Sequence, residues 1–241
     1  MSKNIVILLT ACINPNGMSF TKLQDSKIRR SQYEQALNFY LNKTNLKIVF
    51  AENTNTYIGD RYQRYIDEGR IEFLTFEGNS YLRELGKGYG EALIIRYSIE
   101  HSELMRQSQQ IIKISGRHLV KNVRTLISQV RDRNAVYANI IHCSKAEYYC
   151  QSDFFIAPLS FFNVLFLPRI EEINDSKGFF FESLLYDCTK DWRKMGKSYK
   201  EFLIPIIVSG QSGTTGENIE NSNFIYLRHI VKLILHRWQK L

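Results

Sequence analysis

Three short apolar runs constrain this chain more than any other feature. NIVILLT (Asn4–Thr10), LKIVFA (Leu46–Ala51) and IIKI (Ile111–Ile114) have strand length, and none alternates apolar with polar residues. A strand with one face in water alternates, whereas a strand buried on both faces reads as a continuous apolar run. Between the first two lies Ser26–Asn42, where Ile28, Tyr33, Ala36, Leu37, Tyr40 and Leu41 recur at helical spacing. A short helix over Asp60–Asp67 and a third strand over Arg70–Gly78 follow. This β-α-β-α-β order calls for a parallel sheet joined by right-handed crossovers. The expected fold class is α/β, a mostly parallel central sheet flanked by helices.

The IIKI run stops at Ser115-Gly116-Arg117-His118. Ligands of open α/β sheets bind beyond the carboxyl ends of the strands, so a cationic turn there is a candidate anion site. The formal charge of +8 agrees, because it favours an anionic partner: nucleic acid, a phosphorylated metabolite or a membrane surface. A length of 241 residues suffices for one large domain, or for a domain with an appendage. Cys12, Cys143, Cys150 and Cys188 show neither Cys-x-x-Cys pairing nor matching His spacing, which argues against zinc and for reduced thiols in the cytoplasm. The first apolar run is too short for a signal peptide, and no run is long enough to span a bilayer.

Ahead of IIKI, Gly86, Gly88 and Gly90 suggest a turn that opens a long helix, whose N-terminus could receive an anion. The spacing excludes a Walker loop. This turn, helix, strand and short polar motif resemble the centre of GT-A fold nucleotide-sugar glycosyltransferases. There the turn and helix read roughly N-x-G-x-x-x-A-R-N, and the strand ends in an Asp-x-Asp that holds a divalent metal on the diphosphate. GKGYGEALIIRYSIEHS takes the first place and IIKISGRH the second, while NIVILLTA and LKIVFAEN resemble the nucleotide-binding strands. The resemblance implies a Rossmann-like, GT-A-like domain over 1–209. Its nucleotide-binding half would be about 1–118 and its acceptor half about 119–209. It further implies that Thr10, Ala11 and Asn14, with Glu52 and Asn53, cradle the nucleoside.

One departure shapes the expected chemistry. Where the family has Asp-x-Asp, this chain has Ser115-Gly116-Arg117, with no carboxylate pair to hold manganese or magnesium. No metal ligand or cofactor is therefore assigned; the expected variant is metal-independent, the alternative being manganese or magnesium held by Asp153 and distant acids. Arg117, helped by Lys113 or His118, supplies the positive charge, since a guanidinium binds phosphate oxygens bidentately. Lys87, Gly88, Ser115 and Gly116 complete the expected donor site.

In the second half, LVKNVRTLISQVRD (119–132) has the pattern of an amphipathic helix. AVYANIIHC (135–143) and YYCQSDFFIAP (148–158) look like strands, and LSFFNVLFLP opens as a helix. Inverting transfer needs a base for the acceptor hydroxyl. In the resembled family this is a late carboxylate near a helix start, the place of Glu182 in GFFFESLLYDC. Asp153 is the second candidate acid. The alternative for Glu182 is a helix N-terminal acid favoured by the macrodipole. FLIPIIVSG (Phe202–Gly210) suggests a last strand or a buried extended segment, and 210–222 a flexible loop, either a lid or a linker. Over 223–241, Leu227, Ile230, Val231, Ile234, Leu235, Trp238 and Leu241 form one helical stripe beside Arg228, Lys232, Arg237 and Lys240. Such a helix either lies on an anionic bilayer or packs on the domain.

The expected function is a glycosyltransferase that moves a sugar from a nucleotide-sugar donor to a glycan or lipid-linked acceptor. The expected setting is bacterial surface polysaccharide or lipopolysaccharide synthesis, in the cytoplasm or at the inner membrane face. The alternatives are a basic nucleic-acid-binding protein and a non-catalytic α/β scaffold. Against the former, the basic residues are spread along the chain, without a helix-turn-helix, RNA-recognition or zinc signature.

Overall fold

The computed structural model describes residues 4–19, 21–142, 148–213, 215–220 and 231. The first half runs β1 (Ile5–Ala11), α1 (Ser26–Lys43), β2 (Lys47–Glu52), α2 (Gln63–Asp67), β3 (Ile71–Thr75), α3 (Gly86–His101), α4 (Glu103–Arg106) and β4 (Gln110–Ser115). Then come β5 (Leu119–Val120), α5 (Val123–Ser128), β6 (Val136–Tyr137), β7 (Ile140–His142), β8 (Tyr148–Cys150) and β9 (Phe154–Pro158). The described part closes with α6 (Leu159–Phe161), α7 (Phe181–Lys194), β10 (Tyr199–Lys200), β11 (Val208–Gln211) and β12 (Asn218–Glu220).

Seven strands form one sheet in the order β10-β6-β9-β4-β1-β2-β3. β4, β1, β2 and β3 are parallel neighbours, and β9 runs antiparallel to both β4 and β6. The mostly parallel α/β sheet expected from the apolar runs is thus observed. Every residue of β1 is buried, and the pleat divides them between two cores. Ile5, Ile7 and Leu9 pack with Tyr33, Ala36, Leu37 and Tyr40 of α1. Val6 and Leu8 share the opposite core with Ala92 and Ile95 of α3 and Leu184 and Leu185 of α7. Asp25 caps α1 by accepting from the Lys27 and Ile28 amides at 2.8 and 3.0 Å.

The chain reverses its direction of travel across the sheet at β1. β2 and β3 are laid on one side, then β4 returns to the other, with Thr10 beside Ser115. Such a switch point leaves a crevice between the carboxyl ends of the two strands. Gly116 closes its floor: its amide donates to the Thr10 carbonyl at 3.0 Å, and a Cβ there would lie 2.5 Å from that oxygen.

Several segments differ from the sequence reading for identifiable reasons. The Gly86–Gly90 stretch is the first turn of α3 rather than a turn ahead of it. Residues 119–120 leave the expected helix because they pair with β11. The segments 135–143 and 148–158 each break in two: β6 and β9 join the main sheet, while β7 and β8 pair antiparallel as a separate two-stranded sheet. Of 202–210, only Val208–Gly210 belong to a strand, while Phe202 and Ile206 ahead of it are buried. Pro205 cannot donate to a ladder, and the Asn122 side chain instead bonds the Pro205 carbonyl and the Ile207 amide. Within 210–222, the described residues include β12 and the end of β11, paired antiparallel. Residues 223–241, Val231 excepted, lie outside the described residues, as does the expected amphipathic helix. No helix among the described residues is long and apolar enough to cross a membrane.

Gly116→Ala is expected to push β4 off β1 at the crevice. The stability loss in urea titration should be on the order of 2 kcal/mol, near the upper part of the range for single substitutions. Gly213→Ala, whose Cβ would meet only the flexible end of Arg117, should cost clearly less.

Candidate functional site

A cavity of about 370 Å³ occupies the crevice, walled by the ends of β1 and β4, the start of α3, the segment before β9 and the start of α7. Eleven of the residues singled out by sequence line it: Thr10, Ala11, Asn53, Lys87, Gly88, Ser115, Gly116, Arg117, His118, Asp153 and Glu182. Asn14, Glu52 and Lys113 do not. Asn14 uses its amide to bond the Thr54 hydroxyl at 3.2 Å. Glu52 is buried and folds two loops together, accepting from the amides of Ile13, Thr54 and Thr56 at 2.9, 2.9 and 2.8 Å and from the Thr54 hydroxyl. Lys113 lies beneath the floor with its side chain fully buried.

The turn Ser115–His118 is fixed from several sides. The His118 amide donates to the Ser115 carbonyl at 2.9 Å, the Ser115 amide to the Asp153 carbonyl at 3.1 Å, and the Tyr40 hydroxyl to the His118 carbonyl at 2.7 Å. Arg117 then reaches along the cavity and donates from Nη1 to Gln32 Oε1 at 2.7 Å and to the Gln211 carbonyl at 3.3 Å. A second guanidinium, which sequence reading missed, lies beside it. Arg29 is 5% exposed, and its Nε and Nη2 donate to the Cys12 carbonyl at 2.8 and 2.5 Å. Among the described residues neither guanidinium forms an ion pair with a carboxylate. Neutral acceptors hold both cations, Arg29 buried and Arg117 half-buried, so neither charge is cancelled by a directly bonded carboxylate.

The acids are arranged differently. Glu91 of α3 accepts from Lys113 Nζ at 2.7 Å and from the Thr10 hydroxyl at 2.7 Å. Burial pushes its carboxyl up, but Lys113 and Thr10 outweigh it and hold the group below the usual range. Asp153 is governed in the same way: burial raises it, while the His118 contact (Nδ1 to Oδ1, 2.7 Å) and the Lys113 charge bring it below. Glu182, in the first turn of α7, accepts from the Ser152 hydroxyl at 2.6 Å. Asp175 occupies the α3 N-terminus that the sequence offered to a ligand. It accepts from the Gly88 amide, and a Cβ at Gly86 (φ +79°) would lie 2.1 Å from its Oδ2. Burial raises the Asp175 carboxyl.

Two signals could have disclosed the missed residues. A lysine inside a doubly buried run needs a counter-ion, which Glu91 provides. Arg29 lies on the α1 stripe that continues through Tyr33, Ala36 and Tyr40, so helical spacing turns it inward.

The residues do not fit the divalent ion that the fold family implies. Among the described residues no three His, Cys, Asp or Glu side chains converge on a metal position. The turn offers a hydroxyl and a guanidinium, and Glu91 and Asp153 are engaged by Lys113 and His118.

No family model matches the sequence, and neither does any curated protein. Solved structures do match. The glycosyltransferase GlyE of Streptococcus pneumoniae TIGR4 superposes with a TM-score of 0.50 at 12% identity, over 84% of this chain and 45% of that one. This chain therefore spans less than half of GlyE's length. The inositol-1-phosphate CTP transferase of T. maritima gives 0.48 at 14% identity, covering 96% and 97% of the two chains. A 4-diphosphocytidyl-2C-methyl-D-erythritol synthase gives 0.47 at 10%, covering 98% and 99%. The likeness is one of fold: the chain has a GT-A-like fold.

Two outcomes follow from the acids. Lys113→Met alone leaves Glu91 uncompensated and should cost roughly 3–5 kcal/mol in urea titration, whereas Lys113→Met with Glu91→Gln should recover much of that loss. Glu91 and Asp153 are held below their ordinary values of 4.5 and 3.8, so the folded state favours their ionised forms. That contribution is present above those values and disappears as pH falls through the lower folded-state values. Melting temperature should drop steeply below about pH 4, and less steeply when Asp153→Asn is added to the charge-free pair.

Proposed function

We propose that this protein transfers a glycosyl group from a nucleotide-activated sugar to a hydroxyl acceptor, without a metal. The observation that carries the reading is the pair of guanidiniums, Arg29 and Arg117, that enter the switch-point cavity with no carboxylate partner among the described residues. A diphosphate supplies the missing negative charge, and planar guanidiniums match its oxygens. Thr10, Ala11 and Asn53 lie at the ends of β1 and β2, where the nucleoside would rest, and Lys87, at the start of α3, adds a third cation to the cavity lining.

The chemistry is a displacement at the anomeric carbon. Glu182 takes the acceptor hydroxyl proton as the oxygen attacks. The bond from the anomeric carbon to the phosphate oxygen breaks, and its electron pair leaves on a phosphate neutralised by Arg117 and Arg29. Asp153 orients His118 on the same wall. Residues from about 119 onward supply the acceptor side. We further propose a glycan or lipid-linked glycan as acceptor, in bacterial surface polysaccharide or lipopolysaccharide synthesis, with 223–241 as the contact to an anionic membrane.

The test is thermal stabilisation by UDP-, GDP-, dTDP- and CMP-sugars, first in EDTA and then in manganese. One nucleotide class should raise the melting temperature in EDTA, and Arg117→Ala should weaken its binding about tenfold or more, the loss of one charge-assisted contact. Glu182→Gln should keep that stabilisation while lowering transfer by about 10²–10⁴-fold. Stabilisation that needs manganese would overturn metal independence. No stabilisation by any donor, with salt-sensitive binding of oligonucleotides, would replace this reading with nucleic-acid binding.

A further inference from the structure

Lys113 stands in the middle of β4 with its side chain wholly removed from solvent. An ammonium has three N–H bonds to give. Three acceptors meet Nζ here: Glu91 Oε1 at 2.7 Å, the Ser152 carbonyl at 2.8 Å and Ser115 Oγ at 3.2 Å. The rings of Phe181 and Phe155 cover the group at 5.1 and 5.9 Å. All three hydrogens are committed inside the protein, so none is left for a donor phosphate. The acceptors come from α3, from the end of β4 and from the segment before β9, which are three separate walls of the cavity.

The contacts beyond those acceptors reach the proposed chemistry. Ser152, held by its carbonyl, donates its hydroxyl to Glu182 Oε1 at 2.6 Å. The next residue, Asp153, accepts the Ser115 amide on its carbonyl at 3.1 Å and contacts His118 Nδ1 with its carboxylate at 2.7 Å. One buried charge thus fixes the segment that carries Asp153 and bonds Glu182 of α7.

We propose that Lys113 is a positioning residue, a fixed cation beneath the floor that sets Ser152 and, through its hydroxyl, the orientation of Glu182. It acts without touching donor or acceptor. The role assigned to Glu182 rests on the proposed function; the organisation of the floor does not, and the experiment separates the two.

The variant is Lys113→Met with Glu91→Gln, which removes both charges and leaves neither unpaired. In the first arm, amide hydrogen exchange is followed without any ligand. Protection of the Ser115 amide should fall about tenfold or more while that of Leu8, in the same sheet, is kept. Unchanged protection at Ser115 overturns the proposal. In the second arm, with a nucleotide sugar that stabilises the wild type, kcat should fall by about 10²-fold with donor Kd kept within about threefold. Adding Glu182→Gln should bring kcat no lower than Glu182→Gln does alone, because both changes act on one path. Multiplying losses, or a donor Kd that collapses together with kcat, would also overturn it. Should the charge-free pair not fold, Ser152→Ala cuts the same path at the hydroxyl, and it must reproduce the kcat loss with donor Kd kept. If no donor stabilises the wild type, the proposed function fails, while the exchange arm still decides the role of Lys113.

Discussion

The close approach of β1 and β4 at their carboxyl ends is the constraint on which the rest of the structure depends. Reversal of strand order between these two strands opens the crevice, and Gly116 against the Thr10 carbonyl keeps it narrow. With that junction in place, the turn Ser115–His118 has one place to stand. It presents Arg117 to the cavity while its backbone is held by Thr10, Asp153 and Tyr40. Both cores then serve the same junction, since α1 packs one face of β1 and α3 and α7 pack the other. Each of these helices also delivers cavity side chains: Arg29 from α1, Glu91 from α3 and Glu182 from α7.

How much of this was legible depends on the range of the interaction involved. The runs NIVILLT, LKIVFA and IIKI announced a doubly buried parallel sheet, because burial on both faces is written into each strand by itself. The antiparallel entry of β9 beside β4 was not legible. It is a long-range pairing, and nothing in FFIAP specifies direction. The same limit applies at the site. The turn at the end of β4 could be found from strand position alone, and eleven residues singled out by sequence share the cavity. In the sequence Lys113 reads as a ligand group, because charge suggests function. Its burial instead follows from its place inside an apolar run, which demands a partner that sequence did not identify. Glu52 misled in the same manner: a carboxylate at a strand end can bind a ligand or four backbone and hydroxyl donors, and only the folded loops show which.

Local chemistry also overrode local pattern. Residues 119–120 carry an amphipathic helical signal, yet they pair with β11, and α5 starts only at Val123. The glycines of the α3 start suggested an open anion site, but Asp175 fills it, and the lack of side chains at Gly86 and Gly88 is what admits that carboxylate. A feature that sequence assigns to a ligand can thus be satisfied from within the protein. The test in each instance is whether the donors are already engaged.

For the two guanidiniums the deciding question is charge rather than engaged donors. Arg29 and Arg117 are hydrogen-bonded, but to the carbonyls of Cys12, Leu23 and Gln211 and to the side-chain oxygens of Tyr33 and Gln32. Such acceptors fix a guanidinium in orientation without cancelling its charge. Holding two like charges near each other under partial burial costs stability, and an ion pair with an acid would have been the cheaper arrangement. Lys113, a short distance beneath, has that arrangement with Glu91. The contrast within one cavity is the informative point: the cation whose hydrogens are all committed is neutralised, and the cations facing the open space are oriented and left charged. Fixed donors of this kind reach their positions during folding and need little reorganisation when an anion arrives, which is the condition under which electrostatic stabilisation is most effective.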